Sequence, residues 1–260
     1  MLAAFDAQVR RRPEAVEPRD RVECEGPVVR CVSAAGGWSG VIWSGLDDRN
    51  ADTVIAEEIG RFAELSLAWE WKYYSYDRPA DLPRRLIAAG LRPEPTEALL
   101  VAEVANLALD TPAPAGVRLH EVVDEGGVAA LVHVHDEVFG AEHAAANAAL
   151  GRSLMAGLQR EPATAAAVIA TAGELPVAAG RVEFRLGTDF ASLWGGGTLP
   201  AWRHRGVFRS LVAHRAALAA ARGFRYLQVD ASAESRPILE SLGFVELATT
   251  TPFTHPGAGG

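Results

Sequence analysis

From residue 117 onward the apolar positions change period in a fixed order. Val117 to Val122 reads as a short strand, and helical stretches follow over about 124–139 and 142–160, the second rich in alanine. Ala165 to Thr171 and Val177 to Arg185 read as strands separated by the turn Gly173-Glu174-Leu175-Pro176; Val182 and Phe184 alternate with Arg181, Glu183 and Arg185, the pattern of a half-buried strand. After the turn Gly187-Thr188-Asp189, Phe190 to Thr198 reads as the third strand of a meander. A long helix is expected from about Gly206 to Arg222, with Val207, Leu211, His214 and Leu218 on one stripe and Gly223 as its stop. Tyr226 to Val229 reads as a strand. Ser235 is placed to cap a short helix with Pro237 in its first turn, and Gly243 ends that helix before Phe244 to Leu247.

The first part of the chain carries a weaker version of that order. Val28–Val32 and Gly40–Trp43 read as a hairpin, Thr53–Leu67 as a helix, Trp69–Tyr76 as a strand, Leu82–Ala89 as a helix closed by Gly90, and Glu97–Val104 as a strand. The runs Leu82-Pro-Arg-Arg-Leu-Ile-Ala-Ala-Gly90-Leu91 and Arg236-Pro-Ile-Leu-Glu-Ser-Leu-Gly243-Phe244 are alike: a short helix, a glycine, an apolar strand entry. This suggests a diverged internal duplication. Thr111-Pro-Ala-Pro-Ala-Gly116 is a semi-rigid linker between lobes expected over 1–110 and 117–255, and Pro256 to Gly260 reads as a frayed tail. Trp69, Trp71 and Tyr73 alternate with Glu70, Lys72 and Tyr74, a spacing that suits core packing better than a pocket wall.

At 260 residues the chain fits one large domain or two small ones, and 49% hydrophobic with 22% charged residues is ordinary globular composition. The net charge of −8 argues against a general nucleic-acid or anionic-membrane surface. Cys24 and Cys31 fit neither a disulfide framework nor a zinc site, and the histidines suggest no metal; His133 and His135 are two apart on a helix and point in different directions. With no apolar signal core and no run near the ~20 residues of a membrane span, a cytoplasmic protein is expected.

The charge distribution changes the picture. Between Ala201 and Val229 stand six arginines (Arg203, Arg205, Arg209, Arg215, Arg222 and Arg225) and no carboxylate. Removing them from the 25 basic residues leaves 19 against 33 acidic ones, a background of −14 around one basic island. The first three flank Thr198-Leu-Pro-Ala-Trp202-Arg-His-Arg-Gly206-Val-Phe-Arg-Ser210, a strand end opening into a helix. Backbone N–H groups at such a helix start, with the positive end of its dipole, bind phosphate oxygens, and arginines add charge-assisted bonds. The spacing matches neither the P-loop nor the dinucleotide-binding glycine pattern. Arg215, Arg222 and Arg225 are expected on a solvated helix face.

Arg203-His-Arg-Gly206-Val-Phe208, led by Pro200-Ala-Trp202, resembles motif A (Gln/Arg-x-x-Gly-x-Gly/Ala) of the GCN5-related N-acetyltransferase (GNAT) superfamily, and the helix ending Leu242-Gly243-Phe244 is similar to its motif B. The resemblance covers roughly 117–250. It implies an α/β fold with a mixed sheet, the acyl-CoA-binding fold, as two tandem lobes of which the first is degenerate. It further implies acetyl-CoA as acyl donor, with pantetheine along Gly196, Gly197, Thr198 and Leu199 and pyrophosphate on Arg203, His204, Arg205, Gly206, Val207, Phe208, Arg209 and Ser210. Gly195-Gly-Gly197 inside a strand suits a backbone that a ligand approaches closely, or else a bulge. The first lobe has Asn50-Ala-Asp52-Thr53 before its helix, and Asp52 would repel a phosphate, so one acyl-CoA site is expected.

Two positions depart from the motifs. Phe208 stands where a glycine or alanine is usual, and its side chain must find a place to pack. Leu239 stands where many members have a tyrosine that protonates the leaving thiolate, and Ser232 where asparagine is frequent. Direct attack of an amine on a thioester needs a base, an oxyanion donor and a proton for the thiolate. The backbone N–H near Thr198 could polarise the carbonyl. Candidates for the remaining roles are Asp230, Ser232 and Glu183, with an ion pair to Arg181 or Arg185 the stronger reading of Glu183 and an N-cap that of Ser235. The expected activity is N-acetylation of a primary amine on a small molecule or peptide; the alternative is a catalytically silent acyl-CoA-binding module. Oligomeric state is not legible.

Overall fold

The computed structural model describes residues 1–13, 15, 20–34, 37–140 and 144–255; the expected tail at 256–260 and the expected helix start at 142–143 lie outside these. In chain order the elements are α1 (Leu2–Phe5), continued by a π-helical turn at Asp6–Arg10, β1 (Arg21–Glu25), β2 (Val28–Val32), β3 (Gly40–Ser44), α2 (Ala51–Glu64), β4 (Trp69–Tyr74), α3 (Leu82–Ala88), β5 (Arg92–Pro93) and β6 (Glu97–Glu103). There follow β7 (Val117–Glu121), α4 (Glu125–Phe139), α5 (Ala144–Gln159), β8 (Ala165–Ala172), β9 (Leu175–Phe184), β10 (Phe190–Thr198), α6 (Val207–Ala221), β11 (Tyr226–Ala231), α7 (Arg236–Ser241) and β12 (Val245–His255). They form two compact units: Met1–Leu99 with Asp230–Glu234 and Glu246–Gly260, and Leu100–Val229 with Ser235–Val245. The division is therefore not the linear one expected at the Pro-rich linker, because the last strand belongs to the first unit.

In the first unit β1 pairs antiparallel with β2, β2 with β3, and β3 runs parallel to β4 after the α2 crossover. β12 closes this set, antiparallel to β4 from Thr250↔Tyr74 to His255↔Trp69. Trp69 and Trp71 are buried, as their alternation predicts, and Phe62 of α2 stacks on Trp69 at 4.5 Å between ring centroids. β1 and the N-terminal helical turn carry no clear period and were not expected. What holds that turn is polar: Arg10, 1% exposed, donates to both oxygens of Asp77 at 2.8 Å and to the Ile42 carbonyl at 3.0 Å. Cys24 and Cys31 sit on neighbouring strands out of register, opposite Val29 and Val22.

A second buried polar group in this unit surrounds Lys72, whose Nζ lies 2.7 Å from Asp230. Glu97 shares its field: burial first, then the nearby Asp230 and Glu70 carboxylates, push its carboxyl up to about 7 against the opposing pull of Lys72. A carboxyl raised in the folded state destabilises the fold as pH climbs from its ordinary 4.5 through about 7, where the unfolded chain ionises more readily. Glu97→Gln should therefore be more stable than the natural protein at pH 8, by about 1 kcal/mol after allowance for solvent screening, and show no gain at pH 4. Urea unfolding at the two pH values checks this.

In the second unit β7, β8, β9 and β10 form an antiparallel meander and β11 adds parallel to β10 after α6. The two faces of the sheet are covered by different helices. Ala165, Ala167 and Ile169 pack with Val128, Leu131 and Val134 of α4 and Leu154 of α5, whereas Val168 and Ala170 pack with Val207 and Leu211 of α6. This is the period-2 alternation of a strand buried on both sides. The order antiparallel pair, crossover helix, parallel strand recurs in both units, as β2–β3–α2–β4 and β9–β10–α6–β11.

Two expectations about helices are corrected. Ser235 occupies the N-cap position of α7, but its side chain makes no capping bond; its φ of −83° and ψ of −28° are helical, not the extended geometry that aims a hydroxyl at N2 or N3. On α6 the inward position is not His214, which is half-exposed near Glu121, but Arg215, 1% exposed. The apolar stripe thus has a buried cation within it, for a reason given by the sheet beneath.

Candidate functional site

β10 is the element that sets the site. Its pairing with β11 runs only from Phe190↔Tyr226 to Ser192↔Gln228, while its pairing with β9 continues to Thr198↔Ala178. Beyond Ser192 the strand therefore shows a backbone edge on the β11 side. Polar atoms at both ends of this stretch are buried without hydrogen-bond partners: Gln228 Oε1 at the last rung, Thr198 Oγ1 at the strand end. Buried groups of that kind call for an explanation, of which a ligand is one.

Within the stretch the β9 register shifts between Trp194 and Gly197, a bulge, and Gly195 has a φ of +54°, in the left-handed region that favours glycine. The three consecutive glycines make room for four of the protein's own side chains. A Cβ on Gly195 would fall 2.4 Å from His135 Cε1; on Gly196, 3.0 Å from Arg215 Nη2 and 3.1 Å from Phe208 Cε2; on Gly197, 2.9 Å from Val138 Cγ1. Of the two readings of these glycines the bulge is present, packed from both faces, α4 on one and α6 on the other. The same contact answers where Phe208 goes: its ring lies under Gly196.

Arg215 fills the space below Gly180 and Gly196 and donates to the carbonyls of Leu211 and Arg181, both at 3.1 Å. Among the described residues no carboxylate pairs with it, and burial together with the Arg181 charge pushes its guanidinium down to about 9. It is therefore not the solvated residue that composition suggested. Arg222, which lies 4.2 Å from the Phe184 ring, and Arg225 are exposed.

At the end of β10, Leu199 to Arg203 makes a tight turn and α6 begins. Gly206 is its N-cap at φ +86°, and no side chain caps the helix. The N–H groups of Val207, Phe208 and Arg209 precede the first residue with an intrahelical acceptor, Ser210, which donates to the Gly206 carbonyl at 3.2 Å. Three backbone donors and the positive end of a 15-residue helix thus face one spot. Arg203, His204, Arg205 and Arg209 are exposed around it. Three of these are held: Arg203 Nε donates to the Thr198 carbonyl at 3.2 Å, Arg205 lies over the Trp202 ring at 4.8 Å, and Arg209 donates to Ser241 Oγ at 2.8 Å. His204 adopts φ +61°, the strained geometry of this turn. A Cβ on Gly206 would meet nothing closer than 3.8 Å, so its requirement is the backbone angle and not crowding.

Two residues expected at the acyl-CoA site also bond within the protein. Ser210 turns its hydroxyl inward onto the Val207 carbonyl at 2.9 Å, because it lies on the buried side of the helix. The Leu199 N–H already donates to the Val177 carbonyl at 2.9 Å, so only its carbonyl side remains for a ligand. The donor set otherwise fits a pyrophosphate followed by an extended chain along a strand edge, as acyl-CoA has: positive charge and N–H donors at the helix start, a free strand edge beyond.

The three catalytic candidates fall in different units. Glu183 is held by Arg181 at 2.9 Å, the ion pair expected of it. Asp230 and Ser232 group with the first unit; Asp230 is paired with Lys72 while its Oδ1 is buried without a hydrogen-bond partner, and Ser232 is exposed. Leu239 is 1% exposed in the core of α7. His135 was missed. It sits on α4 with Nε2 2.8 Å from the Gly195 carbonyl, and burial holds its pKa below the ordinary range. The available signal was the helical spacing of Leu131, Val134, His135 and Val138 opposite a strand with three successive glycines.

In the first unit the corresponding helix start, at α2, is acidic. Asp52 in its first turn pairs with Arg85 at 2.9 Å, and a cleft of about 500 Å³ beside it is lined by Asp47, Asp48 and Asp81 with Arg78. That sign of charge opposes a phosphate. Among the described residues no helix is long and apolar enough to cross a membrane.

The splayed parallel pair β10–β11, the bulge, and the uncapped basic helix start define the GNAT fold, here in tandem form. A GCN5-related N-acetyltransferase from Kribbella flavida superposes with a TM-score of 0.70 at 20% identity, over 92% of this chain and 90% of that one. A tandem GNAT protein from the clavulanic acid biosynthesis pathway, solved without AcCoA, gives 0.61 at 15% identity, over 98% and 92%. A GNAT-family acetyltransferase structure from Novosphingobium aromaticivorans gives 0.53 at 19%, over 90% and 89%. No protein-family model matches the sequence, and no curated protein matches it.

Proposed function

We propose that the second unit binds acetyl-CoA and transfers its acetyl group to a primary amine of a small molecule or peptide. The observation that carries this reading is the set of three uncapped N–H groups at Val207–Arg209, ringed by exposed basic side chains, at the end of a strand whose edge is open. The N–H groups would hold the pyrophosphate with Arg203, His204 and Arg205, and the β10 edge from Gly196 to Thr198 would take the pantetheine arm. The bound thioester supplies an acyl group whose C–S bond breaks as the amine nitrogen bonds to carbon. A backbone N–H of β10 near Thr198 would stabilise the oxygen that gains charge. The amine proton leaves to water, and the thiolate takes a proton from water, since Leu239 cannot supply one. An acidic background of −14 outside the basic island favours a cationic acceptor.

A silent acyl-CoA-binding module is the second reading, favoured by Leu239 and by the Lys72 pairing of Asp230. Thiol release from acetyl-CoA across a panel of primary amines separates the two. Transfer predicts release that depends on the amine added. Stoichiometric binding with release no faster than in buffer would leave only the module.

A further inference from the structure

The bulge in β10 is held by a residue outside every motif above. His135 projects from α4, and because a carbonyl oxygen only accepts, its Nε2 must carry the proton in the 2.8 Å bond to Gly195. The ring is fixed in turn by edge-on packing against Phe139, with centroids 5.3 Å apart at 83°. Its place exists because Gly195 has no side chain: a Cβ there would lie 2.4 Å from Cε1 and 2.7 Å from Nε2. On the opposite face Arg215 Nη1 donates to the Arg181 carbonyl at 3.1 Å, one rung away at the edge of the bulge, where Trp194 pairs with Arg181. The Gly195 carbonyl is thereby held toward α4, where a regular strand would leave it in the plane of the sheet.

From this geometry we infer that His135 is a positioning residue: by drawing the Gly195 carbonyl onto α4 it keeps a carbonyl dipole away from the open β10 edge, where the acyl oxygen would lie. The peptide unit is planar, so holding the Gly195 carbonyl fixes the whole unit at the bulge. A carbonyl turned toward the developing oxyanion would oppose the stabilisation that a preorganised N–H provides. His135 touches neither donor nor acceptor in this scheme and acts through the backbone. The inference rests on the acyl-CoA reading above and deepens it.

The test uses the full chain and acetyl-CoA labelled with carbon-13 at the thioester carbonyl, read by the infrared carbonyl stretch of the bound molecule together with the dissociation constant. The natural protein should lower the stretch relative to free acetyl-CoA. His135→Met, similar in length without a donor, should lose most of that shift while the dissociation constant changes by less than about threefold, because the pyrophosphate contacts lie at α6. His135→Gln, which keeps an N–H donor, should regain it. With an amine acceptor in hand, kcat for the Met variant should fall on the order of 10²-fold with KM for acetyl-CoA unchanged. A merely structural histidine would weaken binding and melting temperature together and leave the residual stretch unchanged. If the Met variant does not fold, Gly195→Ala gives the same readout by another route, since its Cβ displaces the ring. A full shift retained in His135→Met or Gly195→Ala overturns the inference. Failure of the natural protein to bind acetyl-CoA at all overturns it together with the acyl-CoA reading, and so is told apart from a failure of His135 alone.

Discussion

Replacing Gly206 by aspartate is expected to weaken acetyl-CoA binding by about 100-fold or more while leaving the melting temperature within a few degrees. Gly206 holds φ +86° at the N-cap of α6, a conformation that Asp tolerates better than other residues with a side chain. The residue is exposed and a Cβ there meets nothing within 3.4 Å. The left-handed angle costs a residue with a side chain about 1–2 kcal/mol. In a chain of this size that moves the melting temperature by a few degrees. A phosphate suffers more, since like charges about 4 Å apart repel by roughly 4 kcal/mol at an effective dielectric of 20. Gly206→Asn separates charge from shape and should lose less than about tenfold. Fluorescence or calorimetric titration of the three proteins decides it. Equal losses in Asp and Asn would assign the effect to backbone geometry, and full affinity in the Asp variant would move the site elsewhere.

The largest effect on stability is expected from Asp77→Ala in the first unit. Arg10 is 1% exposed and Asp77 accepts both of its terminal nitrogens at 2.8 Å as well as the Tyr74 N–H at 3.0 Å. The guanidinium carbon lies 4.1 Å from the Tyr74 ring centroid and 5.3 Å from that of Tyr76. Removing the carboxylate strands a buried cation with Asp6 as its remaining anionic partner, at 3.0 Å. Breaking a buried pair from one side destabilises by about 3–5 kcal/mol, whereas replacing both partners with apolar residues of similar size is often close to neutral. Urea unfolding should show the full loss in Asp77→Ala and recovery of most of it in the double variant Arg10→Met with Asp77→Leu. A single-variant loss under about 1 kcal/mol would mean that Asp6 and the two rings suffice to hold Arg10.

The second unit was legible in the sequence because its strands alternate cleanly and its helix start carries glycine and arginine at consecutive positions. Val207 and Leu211 fall on the buried face and Gly206 at the N-cap, as the 3.6-residue period and the turn chemistry require. What was not legible has a common physical cause: contacts made by residues far apart in the chain. His135 meets Gly195 and Arg215 meets Gly180 and Gly196, and no local pattern announces an arginine that faces a sheet. The glycine run was noticed for the right reason, absent side chains, but the space belongs to α4 and α6. β12 read as a few residues from Phe244 to Leu247, whereas it runs from Val245 to His255 and pairs with β4; its partner lies about 175 residues back, beyond any window. Arg10 and Asp77 are likewise invisible to periodicity, since a buried ion pair looks in sequence like two surface charges. Asp230 stands out in sequence only for its place near a strand end, and Lys72, with which it pairs, lies on another element of the first unit.

Among the described residues the uncapped basic start of α6 in the second unit is the proposed anion site, and the acidic start of α2 is not its equal. Calorimetric titration of the natural protein with acetyl-CoA tests it most directly. The account predicts one site per chain, with the heat abolished in Gly206→Asp. Two sites per chain, or one site that survives in Gly206→Asp, would contradict it.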